Sequence, residues 1–162
     1  MMTRRGMMMA GAAGLAFFGS LWRGSVALAS KAFEITRTDD EWRKQLTADQ
    51  FAILRKQGTE RPYTSPLLKE HRRGNFSCAG CDLDLFSSTT KFESNTGWPS
   101  FWAPLDNAIG TDVDKAYGME RVEVHCRRCG GHLGHVFDDG PKPTGLRYCI
   151  NGVSLGFKPI AA

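Results

Sequence analysis

Two Cys-x-x-Cys pairs constrain what this chain can fold into. Cys78 and Cys81 form the first, Cys126 and Cys129 the second, and 44 residues lie between them. Each pair bends a tight knuckle that aims both sulfurs one way, so two pairs brought together close a tetrahedral thiolate cage around one zinc ion. Segments distant in sequence must then meet at a point. Disulfide bonding is the alternative, which an oxidising compartment permits. A bridge inside a Cys-x-x-Cys pair closes a small strained loop, whereas the paired spacing matches the layout of zinc ribbons and favours the metal. Zinc is read as structural, as the staple of a small domain. Four thiolates fill its coordination shell, which leaves Cys149 as the one cysteine free to react.

The N-terminus reads as an export signal. Thr3-Arg4-Arg5-Gly6-Met7 is a twin-arginine start, Met7 to Trp22 is uncharged and rich in Ala, Gly and Met, and Ala27-Leu28-Ala29 offers small residues for cleavage before Ser30. Retention as an anchor is the alternative, but the uncharged stretch is shorter than the ~20 residues that span a bilayer comfortably. The expectation is a signal peptide over 1–29, export to the periplasm by the twin-arginine route, and a mature domain over 30–162 with no stable membrane insertion. The first 29 residues hold three arginines and no acid, leaving 18 basic against 17 acidic residues in the remainder. That near-neutral balance excludes a basic footprint for nucleic acid.

With 41% hydrophobic and 23% charged residues, the mature part has the composition of one ordinary folded domain. Thr38-Asp39-Asp40-Glu41 and Thr47-Ala48-Asp49-Gln50 each open a short helix with a capping box. Phe51 and Leu54 share a face of the second, and Gly58 is expected to stop it in a left-handed conformation. From Asn75 onward, short runs such as Leu83 to Phe86, Arg121 to Cys126 and Val153 to Phe157 lie between Gly, Pro, Asn and Asp, as in a β-rich domain. Residues 138–145 form a turn-rich loop leading into the Cys149 segment.

Cys149 lies in Arg147-Tyr148-Cys149-Ile150-Asn151. If these residues form a strand, Arg147, Cys149 and Asn151 share a face. The guanidinium then favours thiolate and lowers the thiol pKa, and Asn151 is placed to orient a histidine or a substrate. A buried, inert cysteine is the bland alternative, which the flanking charge and amide oppose. His132 and His135 follow the second cysteine pair; with four thiolates in the cage they are spare, and two spare imidazoles beside a glycine-rich bend suggest chemistry. Gly97-Trp98-Pro99-Ser100-Phe101-Trp102 puts aromatics on a Gly/Pro turn, suited equally to core filling and to an apolar wall for a small ligand.

Arg61 to Pro66, Gly97 to Phe101, His132 to Phe137, Asp139 to Gly145 and Arg147 to Asn151 together resemble the methionine sulfoxide reductase B family, from about Asp39 to Phe157. The resemblance implies a mainly β fold of two antiparallel sheets with short N-terminal helices and a four-cysteine zinc site away from the active site; a monomer is expected. It implies reduction of the R epimer of methionine sulfoxide in oxidised proteins or peptides. Cys149 is then the nucleophile, His132, His135 and Asn151 the polar set around it, and Trp98 the wall of the methyl pocket; Arg147, close to Cys149 in the sequence, is expected on the substrate side. Many family members carry a resolving cysteine two residues before this tryptophan; here the residue is Thr96. No internal thiol is then left to condense with a Cys149 sulfenic acid, so a thioredoxin-like protein or a small thiol is the expected reductant. Two other readings remain open on the residues alone. A zinc ribbon for a nucleic acid or protein partner leaves Cys149 and its histidines unexplained, and a zinc hydrolase needs an open coordination position that four thiolates do not leave.

Overall fold

A computed structural model describes residues 33–160. The expected signal peptide over 1–29 lies outside the described residues. Among the described residues no helix is long and apolar enough to cross a membrane.

Two helices precede the sheets, α1 (Asp39–Gln45) and α2 (Ala48–Lys56). Both begin as the sequence predicts. Thr38 and Thr47 accept from the backbone amides of Glu41 and Gln50, whose side chains accept from the cap amides in return. The end of α2 differs from expectation. Gln57, not Gly58, holds the left-handed conformation, with φ 54°. Gly58 is needed for another reason: its amide donates to the Ala52 carbonyl at 3.0 Å, and a Cβ there would meet that oxygen at 2.9 Å.

The rest is β. Strands β1 (Gly74–Cys78), β2 (Asp84–Ser87) and β9 (Leu155–Pro159) form a three-stranded sheet in the order β2-β1-β9. Strands β3 (Lys91–Phe92), β4 (Ser100–Phe101), β5 (Ile109–Asp114), β6 (Arg121–Cys126), β7 (His132–Phe137) and β8 (Arg147–Ile150) form a six-stranded sheet in the order β3-β4-β8-β7-β6-β5. Every pairing is antiparallel. The sequence run Val153 to Phe157 is only partly strand. Gly152–Ser154 is a 3-10 turn and β9 starts at Leu155, because the buried Glu60 carboxylate accepts the amides of Gly152 and Val153 and the Ser154 hydroxyl donates to the Asn151 carbonyl.

The sheets meet through aromatic rings. Phe101 of the larger sheet stacks on Phe86 at 4.4 Å and meets Phe76 edge-on at 5.0 Å, both from the smaller sheet, and all three are fully buried. Such pairs contribute about 0.5–1.5 kcal/mol each beyond the area they bury. Trp42, Phe51 and Leu54 bring both helices onto the same core, with Val124, Leu133 and Ile150 from β6, β7 and the end of β8. Register assigns the two faces of the larger sheet. Val124, Gly134 and Ile150 lie opposite one another in one row, while Glu123, His135 and Cys149 form the adjacent row. Side chains alternate along a strand, so if the first row faces the core the second faces away from it. The core thereby dictates which way Cys149 points.

Candidate active site

The row Glu123–His135–Cys149 is extended by Ser100, the β4 residue opposite Cys149. Gly134 permits this close approach of β7 to β8, since a Cβ there would stand 2.1 Å from the Cys149 carbonyl oxygen. Trp98 arrives from the turn before β4. Gly97, at φ 95°, makes that turn, and a side chain there would strike Pro62 at 2.6 Å. The Trp98 indole N–H donates to the Glu60 carbonyl at 3.2 Å, and the Glu60 amide donates to Asn151 Oδ1 at 3.0 Å. One residue therefore positions both. Cys149, Trp98, His135 and Asn151 line a cavity of about 130 Å³ with Thr59, Arg121, Gly134 and Phe137. Its size suits the end of a side chain rather than a cofactor.

Other predicted residues sit around this cavity in different ways. His132 lines an adjoining cavity of about 420 Å³ with Gln57, Asp114, Arg121, Glu123 and His135. Arg147 is buried and directs its guanidinium to Asp139, with Nε and Nη2 donating to the two carboxylate oxygens at 2.8 and 2.9 Å. Asn151 lies past the end of β8. Its side-chain N–H donates to the Leu133 carbonyl at 3.0 Å, so the amide joins Glu60 to β7 instead of meeting a histidine.

Each histidine has a carboxylate that the sequence did not reveal. His132 Nδ1 is 2.7 Å from Glu123 Oε1, and His135 Nε2 is 2.8 Å from Asp114 Oδ2. Burial pushes the Glu123 carboxyl up, but the His132 hydrogen bond and nearby histidine charge outweigh it and the net shift is downward. The Ala116 amide and then the His135 hydrogen bond hold the Asp114 carboxyl at about 2. Both carboxylates are therefore acceptors, which puts the protons on His132 Nδ1 and His135 Nε2. Arg121 Nη2 also donates to Asp114 Oδ2 at 2.6 Å. The β6–β7 register sets Glu123 opposite His135 and His125 opposite His132, so strand pairing alone joins neither histidine to its carboxylate.

Resting protonation differs from the sequence expectation. Burial pushes the Cys149 thiol up; a Thr96 hydrogen bond and the Arg147 guanidinium pull it down, but the net direction is upward. Burial is the largest cause; Asp139, which engages the Arg147 guanidinium, adds a smaller upward push of its own. Burial likewise pulls the His135 imidazole down, against the Asp114 hydrogen bond. The resting pair is neutral thiol and neutral imidazole.

The four remaining cysteines gather elsewhere. Cys78 ends β1 and Cys81 lies in the β1–β2 turn, while Cys126 ends β6 and Cys129 lies in the β6–β7 turn. Their sulfurs all fall within 4.8 Å of one another. The Cys78–Cys129 and Cys81–Cys126 separations are 3.7 and 3.4 Å, near the ~3.8 Å edge of a tetrahedron with metal–sulfur bonds of about 2.3 Å. The donor set thus fits a single thiophilic metal ion. Arg121 of the candidate cavity and Cys126 are opposite ends of β6, roughly 17 Å apart at strand rise. No histidine enters this cluster, so the hydrolase reading finds no support among the described residues.

A mainly β domain of two antiparallel sheets, with four cysteines placed for a metal and a separate cysteine facing a histidine, is the class this geometry defines. The SelR domain model matches residues 46–159. Peptide methionine sulfoxide reductase MsrB of Pseudomonas putida (strain W619) is 54% identical over 127 residues, covering 78% of this chain and 96% of that protein. The MsrB proteins of Leptospira interrogans (serogroup Icterohaemorrhagiae, serovar Lai) and Agrobacterium fabrum are 52% and 51% identical, over 97% and 95% of their lengths and 78% of this chain. The chain belongs to the SelR (MsrB) family.

The cage predicts coupled loss of metal and stability. Replacing Cys78, Cys81, Cys126 or Cys129 with Ser is expected to lower metal content and melting temperature together, because binding free energy at such a site is folding free energy. Elemental analysis with thermal unfolding checks this, and stable, metal-free wild-type protein would contradict it.

Proposed function

We propose that this protein is a peptide-methionine (R)-S-oxide reductase that works through Cys149 sulfenic acid. The observation that carries the proposal is the cross-strand pair His135 and Cys149 beside Trp98 at one small cavity. Sulfoxide sulfur is electrophilic but oxide is a poor leaving group, so a thiolate must attack sulfur while an acid protonates oxygen. Cys149 supplies the nucleophile and His135 the acid. Proton transfer from thiol to imidazole generates both from the neutral resting pair. Oxygen ends on Cys149, methionine leaves, and the balance is one thiol and one sulfoxide giving one sulfenic acid and one thioether. Trp98 contacts the methyl group and so fixes which face of sulfur meets the thiolate, while Asn151, His132 and Arg147 maintain the polar surround. An external thiol, from a thioredoxin-like protein or a small molecule, then reduces Cys149.

The cage ion is proposed to be zinc, suited by four thiolates and free of redox chemistry of its own. Monomeric action on oxidised proteins or peptides, and export over residues 1–29 to the periplasm, complete the proposal.

Anaerobic assay of the mature protein on a peptide carrying each sulfoxide epimer, with dithiothreitol as reductant, is expected to consume the R epimer only. Cys149→Ser should abolish turnover while retaining fold and metal, since the hydroxyl is a far weaker acid than the thiol. Turnover of the S epimer, or appreciable activity of Cys149→Ser, would refute the assignment.

The pKa directions also predict the pH profile. The active thiolate–imidazolium pair holds as many protons as the neutral pair, so its population is constant between the lowered imidazole pKa and the raised thiol pKa. Below that window sulfur and imidazole are both protonated; above it both are deprotonated. Single-turnover rate should therefore show a plateau whose acid limb falls below about 6.5 and whose alkaline limb falls above about 8.5, the ordinary values of the two groups. A narrow bell inside those limits contradicts the assigned pair.

A further inference from the structure

A file of hydroxyl groups runs from the Cys149 sulfur to the buried Ser100. Thr96 Oγ1 is 3.9 Å from Cys149 Sγ, Ser94 Oγ is 2.8 Å from Thr96 Oγ1, and Ser100 Oγ is 2.7 Å from Ser94 Oγ. Ser100 Oγ also donates to the Trp98 carbonyl at 3.2 Å. The backbone arranges this contact. Ser100 is the strand partner of Cys149, and the turn through Asn95 and Gly97, at φ 56° and 95°, folds Thr96 back over the sulfur. Ser100 is fully buried.

Each hydroxyl has one proton to give. With the Ser100 proton on the Trp98 carbonyl, Ser94 must donate to Ser100 and Thr96 to Ser94. The Cys149 S–H is then left to donate to Thr96. An ionised sulfur has no proton, and the file can turn over: Ser100 donates to Ser94, Ser94 to Thr96, and Thr96 to sulfur. All three file contacts survive the reversal. Only the bond to the Trp98 carbonyl is released, and at 3.2 Å it is the longest of the oxygen–oxygen contacts in the group.

We propose that Thr96, Ser94 and Ser100 form a reversible hydroxyl file that accepts from Cys149 as a thiol and donates to it as thiolate or sulfenate. It rests on Cys149 being the reactive thiol. In this role Thr96 and Ser94 are positioning residues. A cysteine at residue 96 would compete for the sulfenic acid by forming a disulfide; a threonine can only hydrogen-bond it, leaving the external thiol to attack. Release of the Trp98 carbonyl on ionisation links the state of sulfur to the turn that carries the indole. Arg147 and Asp139 also act on Cys149, from β8 and the loop before it, and His135 faces it across the strand pair from β7; all three are unchanged in the variants below.

The test reads Cys149 directly and needs no reductase activity, so failure of the file is distinguishable from failure of the proposed reaction. Iodoacetamide alkylation of Cys149 in the full metal-loaded protein is followed by peptide mass spectrometry as a function of pH, with near-ultraviolet dichroism as the check on fold. Thr96→Val should move the midpoint upward and slow alkylation at neutral pH by about threefold to tenfold, a tenfold change corresponding to one pKa unit. Thr96→Ser should restore the wild-type profile, and Ser94→Ala should move it partway. A Thr96→Val profile that superimposes on wild type overturns the proposal, as does a Ser94→Ala profile that does not move. If Thr96→Val fails to fold, the Ser94→Ala profile decides.

Discussion

Four sulfurs within 4.8 Å of one another are the constraint on which the arrangement of the two sheets depends. Burial penalises each thiolate, and four negative charges at this spacing repel strongly in a low-dielectric interior. A divalent cation held there would convert the repulsion into attraction and tie the β1–β2 turn of one sheet to the β6–β7 turn of the other. The Phe76, Phe86 and Phe101 rings fill the space between the sheets, but dispersion and burial have little direction. The cage supplies direction, and β6 and β7, which run from it, carry Glu123, His132, His135 and, at the far end of β6, Arg121 to the cavities.

Antiparallel register then achieves what sequence proximity achieves elsewhere. Glu123, His135, Cys149 and Ser100 come from four strands yet form one row. The row faces away from the core because Val124 and Ile150 in the adjacent row are fully buried. A one-residue slip of β8 against β7 would exchange Cys149 with Tyr148 or Ile150 and destroy the site. Glu60 reinforces the fit from outside the sheet, holding Trp98 and Asn151 by its backbone and Gly152 and Val153 by its carboxylate.

Features set by local chemistry were legible in the sequence. The Thr38 and Thr47 capping boxes, the paired cysteines, the alternating β segments and the shared face of Arg147 and Cys149 all depend on neighbours a few residues away. What was not legible depends on distant partners. Burial lifts the Cys149 thiol by more than Thr96 and Arg147 lower it, and Asp139, which takes the Arg147 fork, adds slightly to the rise, so the local inference of a lowered thiol pKa reversed in sign. Asn151 is turned from histidine by Glu60 and Leu133. Asp114 and Glu123 went unrecognised because their histidines lie 21 and 9 residues ahead. At α2, composition favoured Gly58 as the left-handed residue, but Gln57 takes that conformation and ends with its side chain on Glu123.

The central claim divides the cysteines into four that hold the fold and one that reacts. Anaerobic single turnover with R-sulfoxide peptide and no reductant, followed by dimedone trapping, mass spectrometry and metal analysis of the same sample, tests that division. The account predicts one methionine formed for each protein molecule, dimedone on Cys149, and Cys78, Cys81, Cys126 and Cys129 unmodified with their metal retained. A disulfide from Cys149 to any of those four, with metal released in proportion, would contradict it.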